Sequence, residues 1–301
     1  MDSRAKLRRQ GSWLALLVLT VSACGATAPT ATPSSAPLDA PTAAPPSETP
    51  TPLLPEAVTS TPECLPVNVA VEDTDYPAVA ARGDVPVLLL LPACDAGPDG
   101  FPVVFLLHGK PMTEQQWLDL GVPELLSEGW QSRRWPPMIV VAARQPEPVF
   151  SNTDGGPGSY EQEFFEGLVP FVESILPVGK SRLERAILGI SRGGVWALEL
   201  GMTHPADIGA VAALSPSLAV NYARPAYNPL SLAEDFAEFP RIYLGAGDED
   251  WARQHTEKLS GLLETLKGEV RLEIVPGGHE DGTWAALLPS ALDFIASEWK
   301  E

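Results

Sequence analysis

The sequence predicts an α/β fold in which a mainly parallel central sheet carries helices on both faces. Three observations predict it. Short apolar, β-branched runs recur from residue 85 onward, and unbroken runs of this length belong to strands covered on both sides. Between them lie stretches whose apolar residues recur at threes and fours, the spacing of amphipathic helices. Strand and helix alternate through most of the chain, which is the pattern of a parallel sheet.

The strand candidates, in order, are VPVLLLLP (85–92), FPVVFLLHG (101–109), PPMIVVAAR (136–144), RAILGI (185–190), IGAVAALS (208–215), PRIYLGAG (240–247) and EVRLEIVPGG (269–278). One helix is expected over Tyr160, Phe164, Phe165, Leu168, Phe171, Val172 and Ile175, with Pro170 marking a kink. His255, Leu259, Leu262, Leu263 and Leu266 form the face of a second, and Trp284, Leu287, Leu288, Ala291, Leu292 and Ile295 that of a third. A further helix-like run starts directly after GISRG at 189–193.

The first 62 residues do not belong to this pattern. Arg4, Lys6, Arg8 and Arg9 precede the apolar stretch WLALLVLTVSA, which reads as an export signal too short for a membrane span. It closes on Val21-Ser22-Ala23-Cys24. That segment resembles a bacterial lipobox, in which the cysteine is lipidated after cleavage; an ordinary signal peptide is the alternative. From Gly25 to Pro62 there are ten prolines among Thr, Ala and Ser, a composition that cannot bury enough surface to offset its ordering entropy. The expected organisation is therefore a signal peptide over 1–23, a lipidated cysteine and disordered tether over 24–62, and one folded domain over 63–301. This places the protein in the cell envelope, touching a membrane through its N-terminal lipid only.

The formal charge is −19, and loss of the basic leader makes the chain more acidic still. That excludes nucleic acid and anionic headgroups as favoured partners. With Cys24 lipidated, Cys64 and Cys94 remain as a pair in an exported protein, either bridged or as two free thiols. No cysteine or histidine spacing suggests a metal site, and no cofactor is expected.

Reactive groups in such sheets gather beyond the carboxyl ends of the strands. Gly189-Ile190-Ser191-Arg192-Gly193 fits a G-x-S-x-G turn between strand and helix, which exposes the serine on a strained backbone with glycines at the crowded flanks. A serine hydroxyl needs a base. Of His108, His204, His255 and His279, only His279 lies in a loop directly after the last strand candidate. The imidazole in turn needs a carboxylate. Asp250 stands in a G-x-x-D spacing after the 240–247 run, with Asp248 as the alternative acid and Glu249 the least favoured. Oxyanion donors are expected from the main-chain N–H of Arg192 and from that of Lys110, since Pro111 has none to give. His108 and Gly109 are expected to shape that loop. The glycines of GGPG at 155–158 lack the strand-helix setting of a phosphate cradle.

With these residues in place, FPVVFLLHG, PPMIVVAA, SYEQEFFEGLVPFVE, RAILGISRGGVWALELGMTHP, GAVAALSPS and GGHEDGTWAALLPSALDFIASEW resemble, in order and spacing, the esterase D-like branch of the α/β-hydrolases. The resemblance covers roughly residues 85 to 300. It implies the α/β-hydrolase fold, Ser191 as nucleophile, His279 as base and Asp250 as supporting acid. The expected activity is hydrolysis, through an acyl-enzyme, of a small-molecule, polysaccharide or lipid acyl ester. An acyltransferase on the same site, or a surface lipoprotein keeping the fold as a binding module, are the alternatives. Arg192 departs from the family, which often has a smaller or apolar residue there; its side chain could recruit an anionic substrate group or pair with a local acid.

Overall fold

The computed structural model describes residues 68–299 apart from 153, 221–222 and 236–237. The expected leader, Cys24, tether and Cys64 lie outside the described residues; Cys94 is disulfide-bonded. The strands are β1 (Val69–Pro77), β2 (Asp84–Pro92), β3 (Val103–Leu107), β4 (Ile139–Ala143), β5 (Arg185–Ile190), β6 (Ala210–Leu214), β7 (Arg241–Gly247) and β8 (Val270–Val275). The helices are α1 (Gln116–Asp119), α2 (Val122–Gln131), α3 (Tyr160–Gln162), α4 (Val169–Ile175), α5 (Arg192–Thr203), α6 (Pro229–Asp235), α7 (Arg253–Thr265) and α8 (Asp281–Ala296).

Among the described residues the strands join one eight-stranded sheet in the order β1-β2-β4-β3-β5-β6-β7-β8. From β4 to β8 every pairing is parallel, while β1–β2 and β2–β4 are antiparallel. β3 therefore has β4 on one side and β5 on the other. The chain winds outward in both directions from β3, which makes the carboxyl ends of β3 and β5 a topological switch point, where a crevice opens.

The unbroken apolar runs have a direct cause. Val103, Phe105 and Leu107 of β3 face one core layer with Ile187 and Val211. Val104 and Leu106 face the other with Leu188 and Ala212. Trp196 and Leu200 of α5 and Leu259 and Leu263 of α7 cover the first layer; Leu126 and Trp130 of α2 and Leu287, Leu288 and Leu292 of α8 cover the second. A central strand of this sheet has no solvent face, so alternation is lost.

Two departures from expectation have physical reasons. β1 was not expected: its run VAVEDTDYP is mostly exposed, with Tyr76 its one buried residue. It is a strand because it pairs along its full length with β2, not because of its own pattern. The helix over 160–175 does not kink simply at Pro170. It passes through a wide π turn over Glu163–Leu168 between α3 and α4. Proline cannot donate to the preceding turn and its ring crowds the carbonyl four residues back, and the wider turn accommodates both. That turn also places the fully buried Glu163 to accept the N–H groups of Val79, Ala80 and Ala81 at 3.1, 2.7 and 3.0 Å. A second buried carboxyl, Glu199 of α5, is pushed up to about 10 by burial and then by Glu161 and Asp154. It is a neutral acid at pH 7.

Candidate active site

β5 ends at Ile190, and Ser191 turns the chain into α5 with φ 53° and ψ −111°, a conformation costly for a residue with a Cβ. The packing around it leaves no alternative. A Cβ on Gly189 would lie 2.1 Å from the Gly193 carbonyl oxygen, and one on Gly193 would lie 2.1 Å from the Leu107 carbonyl oxygen at the end of β3. Only glycines let β3, β5 and the first turn of α5 approach this closely.

Ser191 Oγ lies 2.9 Å from His279 Nε2. The other ring nitrogen, Nδ1, lies 2.9 and 3.2 Å from the two carboxylate oxygens of Asp250. A carboxylate at Nδ1 puts the ring proton there and leaves Nε2 free to accept from the serine hydroxyl. The arrangement can thus remove a proton from Ser191 and stabilise the imidazolium that results.

The carboxylate is held from several directions. Its side chain is fully buried. Burial alone would raise its pKa, but hydrogen bonds from His279, the Ser215 hydroxyl and the Ala252 amide outweigh burial and hold the carboxyl below its ordinary range. The Ala252 N–H donates to Oδ1 at 2.7 Å. Asp248, the alternative acid, does something else: its Oδ1 accepts from the Gly277 N–H at 2.9 Å, two residues before His279. Its main-chain N–H donates to the Val275 carbonyl, and that of Glu249 to Gly277. Asp248 ties the histidine loop to the acid loop, and Asp250 contacts the ring.

Two indoles flank the imidazole. Trp251 lies against one face with ring centroids 4.4 Å apart at 32°, and Trp284 meets the ring edge-on at 5.2 Å. Trp284 is itself fixed by its Nε1–H, which donates to Ser215 Oγ at 3.0 Å. Ser215 thus links the Asp250 carboxylate to the tryptophan packed on His279. Ser215, Trp251 and Trp284 were missed by sequence reasoning. The only signal was position: Ser215 follows β6 as Ser191 follows β5, and Trp251 adjoins Asp250.

The loop after β3 lies over the serine. A Cβ on Gly109 would be 3.5 Å from Ser191 Cβ. The Gly109 N–H is committed to Gln116 Oε1 at 2.8 Å. The N–H groups of Lys110 and Arg192 make no hydrogen bond to the protein among the described residues, so both amides are available to an oxyanion. His108 shapes this loop. Its Nε2 accepts from the Gln145 N–H at 3.0 Å and its Nδ1 donates to the Gly109 carbonyl at 2.9 Å. Burial lowers its pKa and keeps the ring neutral. The amides of the GGPG loop are taken as well, Gly156 by Glu161 and Gly158 by Gln162 Oε1, so that loop does not offer a phosphate cradle. Among the described residues no group of three or more His, Cys, Asp or Glu side chains is placed to hold a metal ion.

With this geometry established, a family model described as "Putative esterase" matches residues 79–295. The chain belongs to that esterase family. It is a carboxylic ester hydrolase of the α/β-hydrolase fold, which removes the reading as a non-catalytic binding module. The esterase is 23% identical over 236 residues to an acetyl esterase of Caldicellulosiruptor saccharolyticus, covering 67% of this chain and 86% of that one. Among solved structures it superposes on a ferulic acid esterase with a TM-score of 0.69 at 20% identity, over 78% of this chain and 100% of that one. It also superposes on the S-formylglutathione hydrolase FrmB of Staphylococcus aureus with a TM-score of 0.65 at 16% identity, over 76% and 99%. These likenesses concern the fold; none carries a substrate to this esterase.

Proposed function

We propose that this esterase works through Ser191, His279 and Asp250 and an acyl-enzyme intermediate. The observation that carries the reading is the unbroken hydrogen-bond path from Ser191 Oγ through the His279 ring to Asp250, at the switch point of the sheet. His279 takes the hydroxyl proton as Oγ attacks the ester carbonyl, and the developing oxyanion accepts from the Arg192 and Lys110 amides. Collapse expels the alcohol, protonated by His279. Water, deprotonated by the same nitrogen, then attacks the acyl-enzyme, and as the acyl–Oγ bond breaks His279 returns the proton to Oγ and the acid leaves. Asp250 keeps the ring in the required tautomer throughout.

The purified protein is expected to hydrolyse short 4-nitrophenyl esters with a burst of nitrophenol, and to be labelled on Ser191 by a fluorophosphonate. Turnover without label at Ser191 would place the chemistry elsewhere. Adding an acceptor alcohol and following the products distinguishes water from a hydroxyl as the second nucleophile.

We propose also that the esterase is exported and lipid-anchored, acting on an acyl ester outside the cytoplasm. The support is the basic leader, its apolar stretch and the Val-Ser-Ala-Cys end at Cys24. Cys24→Ser is expected to move the protein from the membrane pellet to the soluble fraction. Unchanged pelleting would end this reading without touching the chemistry.

A further inference from the structure

The mechanism above uses only the main chain of Arg192, leaving a guanidinium beside the nucleophile with no assigned work. Trp196, one turn further along α5, sends its Nε1–H to the Phe150 carbonyl at 3.1 Å. Residues four apart share a helix face, so Arg192 also lies on the side of α5 that faces the 145–151 segment. The charge acting on it there is Glu147.

Glu147 is already engaged. Lys110 Nζ lies 3.2 Å from one of its oxygens, and Ser151 Oγ donates to it at 2.6 Å. Arg144, the other cation at this edge, is held by both oxygens of Glu114 at 2.7 and 2.9 Å. Arg192 makes no ion pair and no side-chain hydrogen bond among the described residues, although it is half-buried. Burial pulls its pKa down, and Glu147 only offsets this.

A partly desolvated cation without a partner is costly, and buried charges are as a rule paired. Here that cost is carried by a chain of formal charge −19, with carboxylates to spare, at the residue after the nucleophile. Glu147, the charge that acts on Arg192, also lines a cavity of about 330 Å³ that opens between Lys110, Met112, Thr113 and Phe150, with His108 in its wall. Gly109, which lies in the chain between His108 and Lys110 of this wall, comes close to the nucleophile: a Cβ on it would be 3.5 Å from Ser191 Cβ. A planar guanidinium with free N–H groups matches the paired oxygens of a carboxylate or phosphate.

We propose that Arg192 binds an anionic group carried by the substrate, so that the preferred esters are those with a carboxylate or phosphate within a guanidinium's reach of the scissile carbonyl. The inference rests on the serine-esterase mechanism above and names a substrate class for it.

The test uses the full protein and matched pairs of esters, one member charged and one neutral. Mono-4-nitrophenyl glutarate against 4-nitrophenyl pentanoate puts a carboxylate on the acyl side. On the alcohol side, 3-acetoxybenzoate against its methyl ester carries a carboxylate, and 3-acetoxyphenyl phosphate against its dimethyl ester a phosphate. The readout is the ratio of kcat/KM within each pair, so a general loss of activity in a variant cancels. Wild type is expected to favour the charged member of at least one pair by about tenfold, the scale of one charge-assisted interaction, and to lose the preference as salt is raised. Arg192→Met should bring the ratio near one, Arg192→Glu should invert it, and Arg192→Lys should retain part. Ratios of one or below for wild type in every pair, or a preference unchanged in Arg192→Met, would overturn the inference. If the neutral esters are hydrolysed while the ratios stay at one, this inference fails and the mechanism stands. No turnover of either member overturns both.

Discussion

Ser191→Ala is expected to lower kcat for every ester by about a millionfold, the scale found when the serine of another triad is removed. The loss is large because, among the described residues, the nearby oxygens have other partners. Asp250 and Asp248 are committed to His279 and the Gly277 amide, and Ser215 is behind the ring, bonded to Trp284. What remains would be activity from the oxyanion donors alone, about a thousandfold over water. Stability should change little. Oγ makes its side-chain hydrogen bond only to His279 among the described residues, and the strained backbone at φ 53° is no worse for alanine. Steady-state rates, fluorophosphonate labelling and a thermal melt on the same preparation decide it. A correctly folded variant within about a hundredfold of wild type would sink the assignment of Ser191 as nucleophile.

Asp250→Asn is expected to cost about ten-thousandfold in kcat with little change in KM, as for the equivalent change in another serine triad. The side chain keeps its shape, but an amide can present its N–H₂ to the ring. Nδ1 then accepts, the ring proton moves to Nε2, and that nitrogen can no longer take the proton of Ser191. The pH dependence of stability follows from the lowered pKa of Asp250. A carboxyl held below its unfolded value binds fewer protons in the folded state. It therefore contributes stability above the unfolded pKa of about 3.9, and that contribution is lost as pH falls through the lower folded value. Asp250→Asn should be less stable than wild type at neutral pH and converge with it in acid. Denaturant titrations of both proteins from neutral to acid pH check the sign; a stability gap that widens as pH falls would contradict it.

How much of this was legible depended on how local each feature is. The seven apolar runs correspond to β2 through β8: β3 to β6 are covered on both faces and buried in every residue, and β8, though at the sheet's edge and only partly buried, still has an apolar run of its own. β1 escaped because an edge strand with exposed side chains leaves no such pattern, and its pairing with β2 is a relation between segments. The three residues that meet, Ser191, His279 and Asp250, were legible for a similar reason: each lies within a few residues of a strand's end, and the parallel sheet brings those ends to one side. The support around them was not. Ser215 on Asp250, Trp284 on Ser215 and Trp251 against His279 join loops far apart in the chain, and nothing in serine or tryptophan alone marks such a role.

Fold class, the strained turn at Ser191 and the order serine, acid, histidine could be read from the residues alone. All three rest on period, glycine placement and neighbouring residues, which act over a few positions. That Asp250 rather than Asp248 contacts the ring, that Asp248 holds the histidine loop, and that the Arg192 guanidinium has no partner among the described residues emerge only once the loops are packed together. Those outcomes turn on distances of a few ångströms between loops set by strand order and register. A shift of two residues, invisible in composition, exchanges a carboxylate on the imidazole for one on a backbone amide.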